Sequence, residues 1–224
     1  MATISDFLPD LEKEAPGCGI PEIDRAVRRA IRNLCNDTHW WVETLATAVT
    51  LVSGTATYTL TPPTDAEVVM PKKAWIVDET PEITFKTREW LDAHYPGWDY
   101  SNVTGQRVPR YCFSPGPGQV TFFPPPNDES VTDGLEVIVR AALRPTRDAA
   151  AYDDRFVDDS DAAEAIRAGA LMRLLDTAQA WGNIPRARQE EQRFNAYVGQ
   201  FKARVMAGDM DGILTAQTGV SGYF

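Results

Sequence analysis

Between Ser160 and Met206 the chain carries two consecutive helical patterns joined by a short break, and this stretch constrains the fold more than any other. Ile166, Ala170, Leu174 and Trp181 mark one apolar stripe, broadened by Ala163, Leu171, Leu175 and Ala178. Asp161 followed three residues later by Glu164 predicts a capping box at the start of the first helix. Gly182-Asn183 predicts its end, since both residues tolerate the left-handed conformation after a last turn. Pro185 then reopens a helix where a missing N–H costs nothing. Phe194, Tyr197, Val198, Phe201 and Val205 follow at steps of three and four, with Arg, Glu and Gln opposite. Burying those five side chains contributes about 10 kcal/mol before conformational entropy is subtracted. A turn this short makes the two helices an antiparallel hairpin.

Upstream, Ile4, Phe7, Leu8 and Leu11 have helical spacing, with Pro9 shortening or kinking the element. Pro16-Gly17-Cys18-Gly19 is a break, after which Pro21 begins a longer helix. Its apolar face reads Ile23, Val27, Ala30, Ile31, Leu34, Thr38 and Trp41, and its other face holds Arg25, Arg28, Arg29 and Arg32. Such an arginine cluster can grip phosphate or carboxylate on a partner. The alternative is a solvated face interleaved with Glu22 and Asp24.

From about Glu43 the period shortens. Ala48 to Val52, Tyr58 to Leu60, and Val68 to Val77 read as strands, with Ser53-Gly54 as a turn. Arg88-Glu89-Trp90-Leu91 reads as a short helix. Pro109 to Phe113 and Val120 to Phe123 are partner strands across a Pro-Gly turn, and Leu135 to Leu143 is one more strand. Asp148 to Asp159 is an acidic linker. The segment after Gly208 is too poor in apolar residues to hold structure alone. The expected fold is α+β: a helical bundle of the N-terminal helix and the C-terminal hairpin, with an inserted β-rich lobe, a small sandwich or barrel. The boundaries are 1–43 for the N-terminal helices, 44–147 for the lobe, 148–207 for the hairpin and 208–224 for the tail.

The formal net charge of −10 over 224 residues disfavours a nucleic-acid binder that relies on bulk attraction, and suits a protein whose partners are other proteins. Cys18, Cys35 and Cys112 are odd in number and unrelated in spacing, which favours free thiols in a reducing cytoplasm. No signal-peptide pattern and no membrane-length apolar run occur. His39 and His94 have no nucleophile pattern around them, and no phosphate loop follows the Pro115 to Gly118 turn. Asp153, Asp154, Asp158, Asp159 and Asp161 suggest a metal cluster, but without the EF-hand spacing they read as linker and helix cap. Trp75, Trp90, Tyr95, Trp98 and Tyr100 read equally as a sugar platform or as lobe core. No catalytic, metal or cofactor-binding set emerges, and none of the three is expected.

Several stretches, taken in order, resemble the head-to-tail adaptor proteins of tailed bacteriophages, the group that includes tail tubular protein A. They are Asn33-Leu34-Cys35 with Thr38 and Trp41-Val42-Glu43; then Gly54, Tyr58-Thr59-Leu60, Pro62-Pro63, Val68-Val69 and Trp75-Ile76-Val77-Asp78. Gly105, Pro109-Arg110-Tyr111, Gly118 and Phe123-Pro124-Pro125-Pro126 follow. Leu143 to Asp148, Glu164 to Leu171 and Trp181-Gly182-Asn183 complete the set. Each is a packing or turn pattern, and their sum carries the resemblance up to about Ala207.

The resemblance implies a structural virion protein at the head–tail junction, synthesised in the host cytoplasm and not associated with a membrane. It implies a dodecameric homo-oligomeric ring beneath the portal protein, with the tail nozzle or tail tube docked below. Genomic DNA would pass through the channel without specific binding, which acidic walls favour. It also implies that the C-terminal segment reaches the portal, where Ile213, Leu214, Val220, Tyr223 and Phe224 are the candidate anchors. The helix pattern separately offers Arg25, Arg28, Arg29 and Arg32 as contacts to a partner it does not specify. Two competing expectations are a carbohydrate- or receptor-binding module of a phage tail, resting on the tryptophans, and a carboxylate-dependent hydrolase, resting on the acidic linker. The long C-terminal hairpin counts against the binding module.

Overall fold

The computed structural model describes residues 7–77, 82–98, 108–126, 134–147, 159–177, 179 and 181–207. It is an α+β structure that divides into a helical unit, Met1–Trp41 with Arg144–Phe224, and a β unit, Val42–Leu143.

In the helical unit, α1 (Leu8–Glu14) and α2 (Ile20–Thr38) are followed, after the β unit, by α4 (Ser160–Leu175) and α5 (Ile184–Ala207). Pro9 lies in the first turn of α1, where it starts the helix instead of kinking it. α2 buries Ile23, Ala26, Val27, Ala30, Ile31, Leu34, Cys35 and Thr38, a stripe at steps of three and four. The helix stops at His39, whose φ of 53° is left-handed and whose N–H bonds the Cys35 carbonyl at 2.9 Å. Trp41 is therefore buried beyond the helix and not along it.

α4 is buried on almost every side, through Ala162, Ala165, Ile166, Ala168, Gly169, Ala170, Leu171, Leu174 and Leu175. A helix apolar all round belongs inside, and α4 packs against both α2 and α5. α5 turns Ala187, Phe194, Val198 and Phe201 inward, with Tyr197 half-buried. At Gly169 a Cβ would stand 3.0 Å from both the Ala30 Cβ and the Phe194 ring, so this glycine lets three helices meet. Glu14 ties α1 to the hairpin by ion pairs with Arg167 and Arg186. The Glu14 hydrogen bond is the main reason the Arg167 guanidinium is held above its ordinary pKa.

Two features of the hairpin differ from the sequence expectation. The cap of α4 is Asp159, not Asp161: its Oδ1 accepts from the Asp161 and Ala162 N–H groups at 2.9 and 3.2 Å, and its carbonyl takes the first helical bond from Ala163. The Asp161 carboxylate is instead held by Arg204 of α5, and Glu164 pairs with Arg167. The helix also ends at Leu175, before Gly182. Asn183 N–H returns to the Leu175 carbonyl at 2.9 Å, and Trp181 lies in the connection. Gly182 is needed for close approach: a Cβ there would lie 1.9 Å from the Thr177 carbonyl oxygen. Asn183 caps the next helix, its Oδ1 accepting from Arg186 N–H at 3.1 Å.

The β unit holds β1 (Val42–Thr44), β2 (Val49–Thr50), β3 (Thr57–Thr59), β4 (Ala66–Ile76), β5 (Thr84–Phe85), α3 (Arg88–His94), β6 (Tyr111–Phe113), β7 (Gln119–Phe123) and β8 (Glu136–Pro145), whose last two residues belong to the helical unit. One sheet has the order β1-β8-β2, with β4 also paired to β8; the other has the order β3-β7-β6-β5. Thus β2 and β3, on either side of the turn at Gly54, pair with different strands and not with each other. β6 and β7 pair antiparallel across the Pro-Gly turn, with Cys112 opposite Phe122, while β5 runs parallel to β6. Leu91, Trp98, Phe113 and Phe123 form a core against α3, with Trp90 and Tyr111 packed on it.

Candidate functional site

On the helical unit, Arg25, Arg28, Arg29 and Arg32 lie at helical spacing on one side of α2 and line a cavity of about 610 Å³. Arg144 and Arg147, at and just after the end of β8, and Arg173 of α4 complete its wall, together with Asn33 and Asn36. Seven arginines thus converge, and no carboxylate is among the lining residues. A smaller adjoining cavity of about 210 Å³ shares Arg25, Arg29 and Arg173 and is closed by Cys18, Leu174 and Trp181.

The individual guanidinium groups are held differently. Arg28 pairs with Asp24 at 2.7 Å, and the exposed Arg25 reaches Glu22 at 3.8 Å. Arg32 donates to the Pro145 carbonyl, and Arg144 donates to Asn36 Oδ1 at 3.0 Å, so these two stiffen the wall that they line. Arg173 keeps a solvent-shielded Nε without a hydrogen bond among the described residues. A guanidinium withdrawn from water is stabilised by an anion, and its planar fork suits carboxylate or phosphate. Of the four α2 arginines, Arg25 and Arg28 pair with Glu22 and Asp24 along the helix, and all four line the groove. Arg144, Arg147 and Arg173 were not among the candidates. Nothing in their local pattern differs from surface arginines, and only packing brings them to α2.

The other candidates fall as follows. Ile213, Leu214, Val220, Tyr223 and Phe224 lie outside the described residues, as do Asp153, Asp154, Asp158 and Tyr100. Asp159 and Asp161 are engaged as cap and ion pair. Among the described residues no group of three or more His, Cys, Asp or Glu side chains is placed to hold a metal. His39 serves at the α2 terminus, and His94 stacks on Trp90 with centroids 4.2 Å apart. Trp98 is core, its Nε1 donating to Asp92 at 2.6 Å and its ring meeting Phe113 edge to face. Tyr95 is more open, with its hydroxyl 3.3 Å from that of Tyr111. The three cysteines are buried and form no disulfide among the described residues. Among the described residues no helix is long and apolar enough to cross a membrane.

The sequence profile of a family described as SU10 adaptor protein matches residues 1–216. No curated protein matches the chain.

Proposed function

Because the chain belongs to the SU10 adaptor protein family, a structural family of phage adaptors and not an enzyme class, we propose that it is a head-to-tail adaptor of the tail tubular protein A kind. In this reading copies assemble as a dodecameric ring beneath the portal protein, the tail nozzle or tail tube docks below, and genomic DNA passes through the central channel without specific binding. The family match over residues 1–216 is the observation that carries it.

Physical features support the same reading. A net charge of −10 suits a conduit that must not retain its polyanionic cargo. Ile213, Leu214, Val220, Tyr223 and Phe224 supply apolar anchors at the C-terminal end, and the portal is the partner assigned to them.

The test is electron microscopy of the purified protein mixed with its portal, using the full chain and a variant lacking Gly212 to Phe224. A ring beneath the portal with the full chain, and weakened attachment with an unchanged melting temperature for the truncation, is the expected outcome. Absence of a ring with the full chain overturns the adaptor arrangement. Full attachment of the truncated chain moves the anchor elsewhere.

A further inference from the structure

In so acidic a chain the arginine groove is the least expected surface. Seven of the 22 basic residues line this one cavity, and the remaining 15 stand against 32 carboxylates. The groove thus gathers positive charge in a chain whose remaining residues are net negative. Arg29 and Arg147 stand exposed in its wall, and Arg173 has its shielded Nε unsatisfied among the described residues.

Charge helps to select the occupant of the groove. A duplex carries one negative charge per about 1.7 Å of axis, and the rest of the chain, with 15 basic residues to 32 carboxylates, offers it no matching excess of positive charge. A carboxylate-bearing patch on a folded protein can end where the groove ends. The chain itself supplies such surface in abundance, since every copy is strongly acidic outside this cavity.

We propose that the groove is one half of a head-to-tail contact between copies of this chain, with its arginines receiving a carboxylate-bearing surface of the next copy. The two halves are different surfaces, so each copy keeps one groove and one acidic face, and the contact repeats until it closes on itself. For its biological setting this rests on the ring reading given above.

The test uses four pairings of immobilised and free full-length protein: wild type and Arg29→Glu/Arg147→Glu in each position. Both residues are exposed, so the reversed variant should keep the wild-type melting temperature. Arg29→Gln/Arg147→Gln serves in its place if it does not. Every pairing that contains at least one wild-type groove should bind, and the reversed–reversed pairing should be weaker by about tenfold or more. Binding should also fall between about 0.01 M and about 1 M salt, as the screening length shrinks from about 30 Å to about 3 Å. Equal binding in all four pairings overturns the proposal, as does absence of binding between wild-type copies. Duplex DNA that binds wild type, fails on the reversed variant and displaces wild-type copies overturns it in favour of nucleic acid. Portal attachment is scored separately on the same proteins. Complete portal rings built by the reversed variant sink this interface and leave the adaptor reading standing. Groove-dependent self-binding without attachment to the portal does the reverse.

Discussion

The indole of Trp40 meets the ring of Phe201 edge to face, with centroids 5.6 Å apart and planes inclined at 62°. This contact joins the residue pair just after α2 to the inner face of α5, and both side chains are almost fully buried. Edge-to-face aromatic pairs add to the stabilisation that burial already provides. Phe201→Ala should therefore cost about 3–5 kcal/mol. Denaturant unfolding measures it, and a loss below about 1 kcal/mol would show that the site collapses around the deletion.

Gly169 should resist even the smallest enlargement. On α4 it faces Ala30 and Phe194 so closely that a Cβ would stand only 3.0 Å from each. Gly169→Ala gains helix propensity but forces the neighbours apart, and the balance should be a loss of about 1–3 kcal/mol. A variant as stable as wild type would mean that Phe194 can turn aside at no cost.

Asp159 and Asp161 separate two kinds of carboxylate contribution. Asp159→Ala removes the α4 cap and should cost about 1 kcal/mol. Asp161→Ala removes a half-exposed pair with Arg204 and should cost less than about 1 kcal/mol, an effect that salt diminishes. The reverse order of thermal shifts would restore Asp161 as the cap.

Cys112 is fully buried, and its thiol is pushed up from an ordinary 9.0 to about 12, chiefly by desolvation, with a smaller push from Glu82. A raised folded-state pKa adds stability that is complete below the unfolded value and is lost as pH climbs from 9.0 towards 12. Wild type should thus lose more stability over that window than Cys112→Ala does. At about pH 8, alkylation of the native protein should spare Cys112, because the thiolate is the reactive form. Modification of Cys112 at the rate of a free thiol would contradict its burial.

Local residue patterns alone specify the α+β class, the helix pair near the C-terminus and most of the strands. Periods of 3.6 and 2 are written into neighbouring residues, and breaks such as Pro16 to Gly19 act locally. Short strands such as β1 and β5 escaped because two or three residues carry no period; only their partners, β8 and β6, define them. Tertiary structure also decided which aspartate caps α4, since Asp161 is drawn to Arg204, 43 positions away. It decided that Gly182 serves a close approach to Thr177 and not a left-handed turn. It likewise decided the groove. The four α2 arginines were legible as one helix face, whereas Arg144, Arg147 and Arg173 join them only through the packing of the helical unit. Helical spacing places residues on a face within one element, but which distant charges share a cavity follows from how the buried faces fit together.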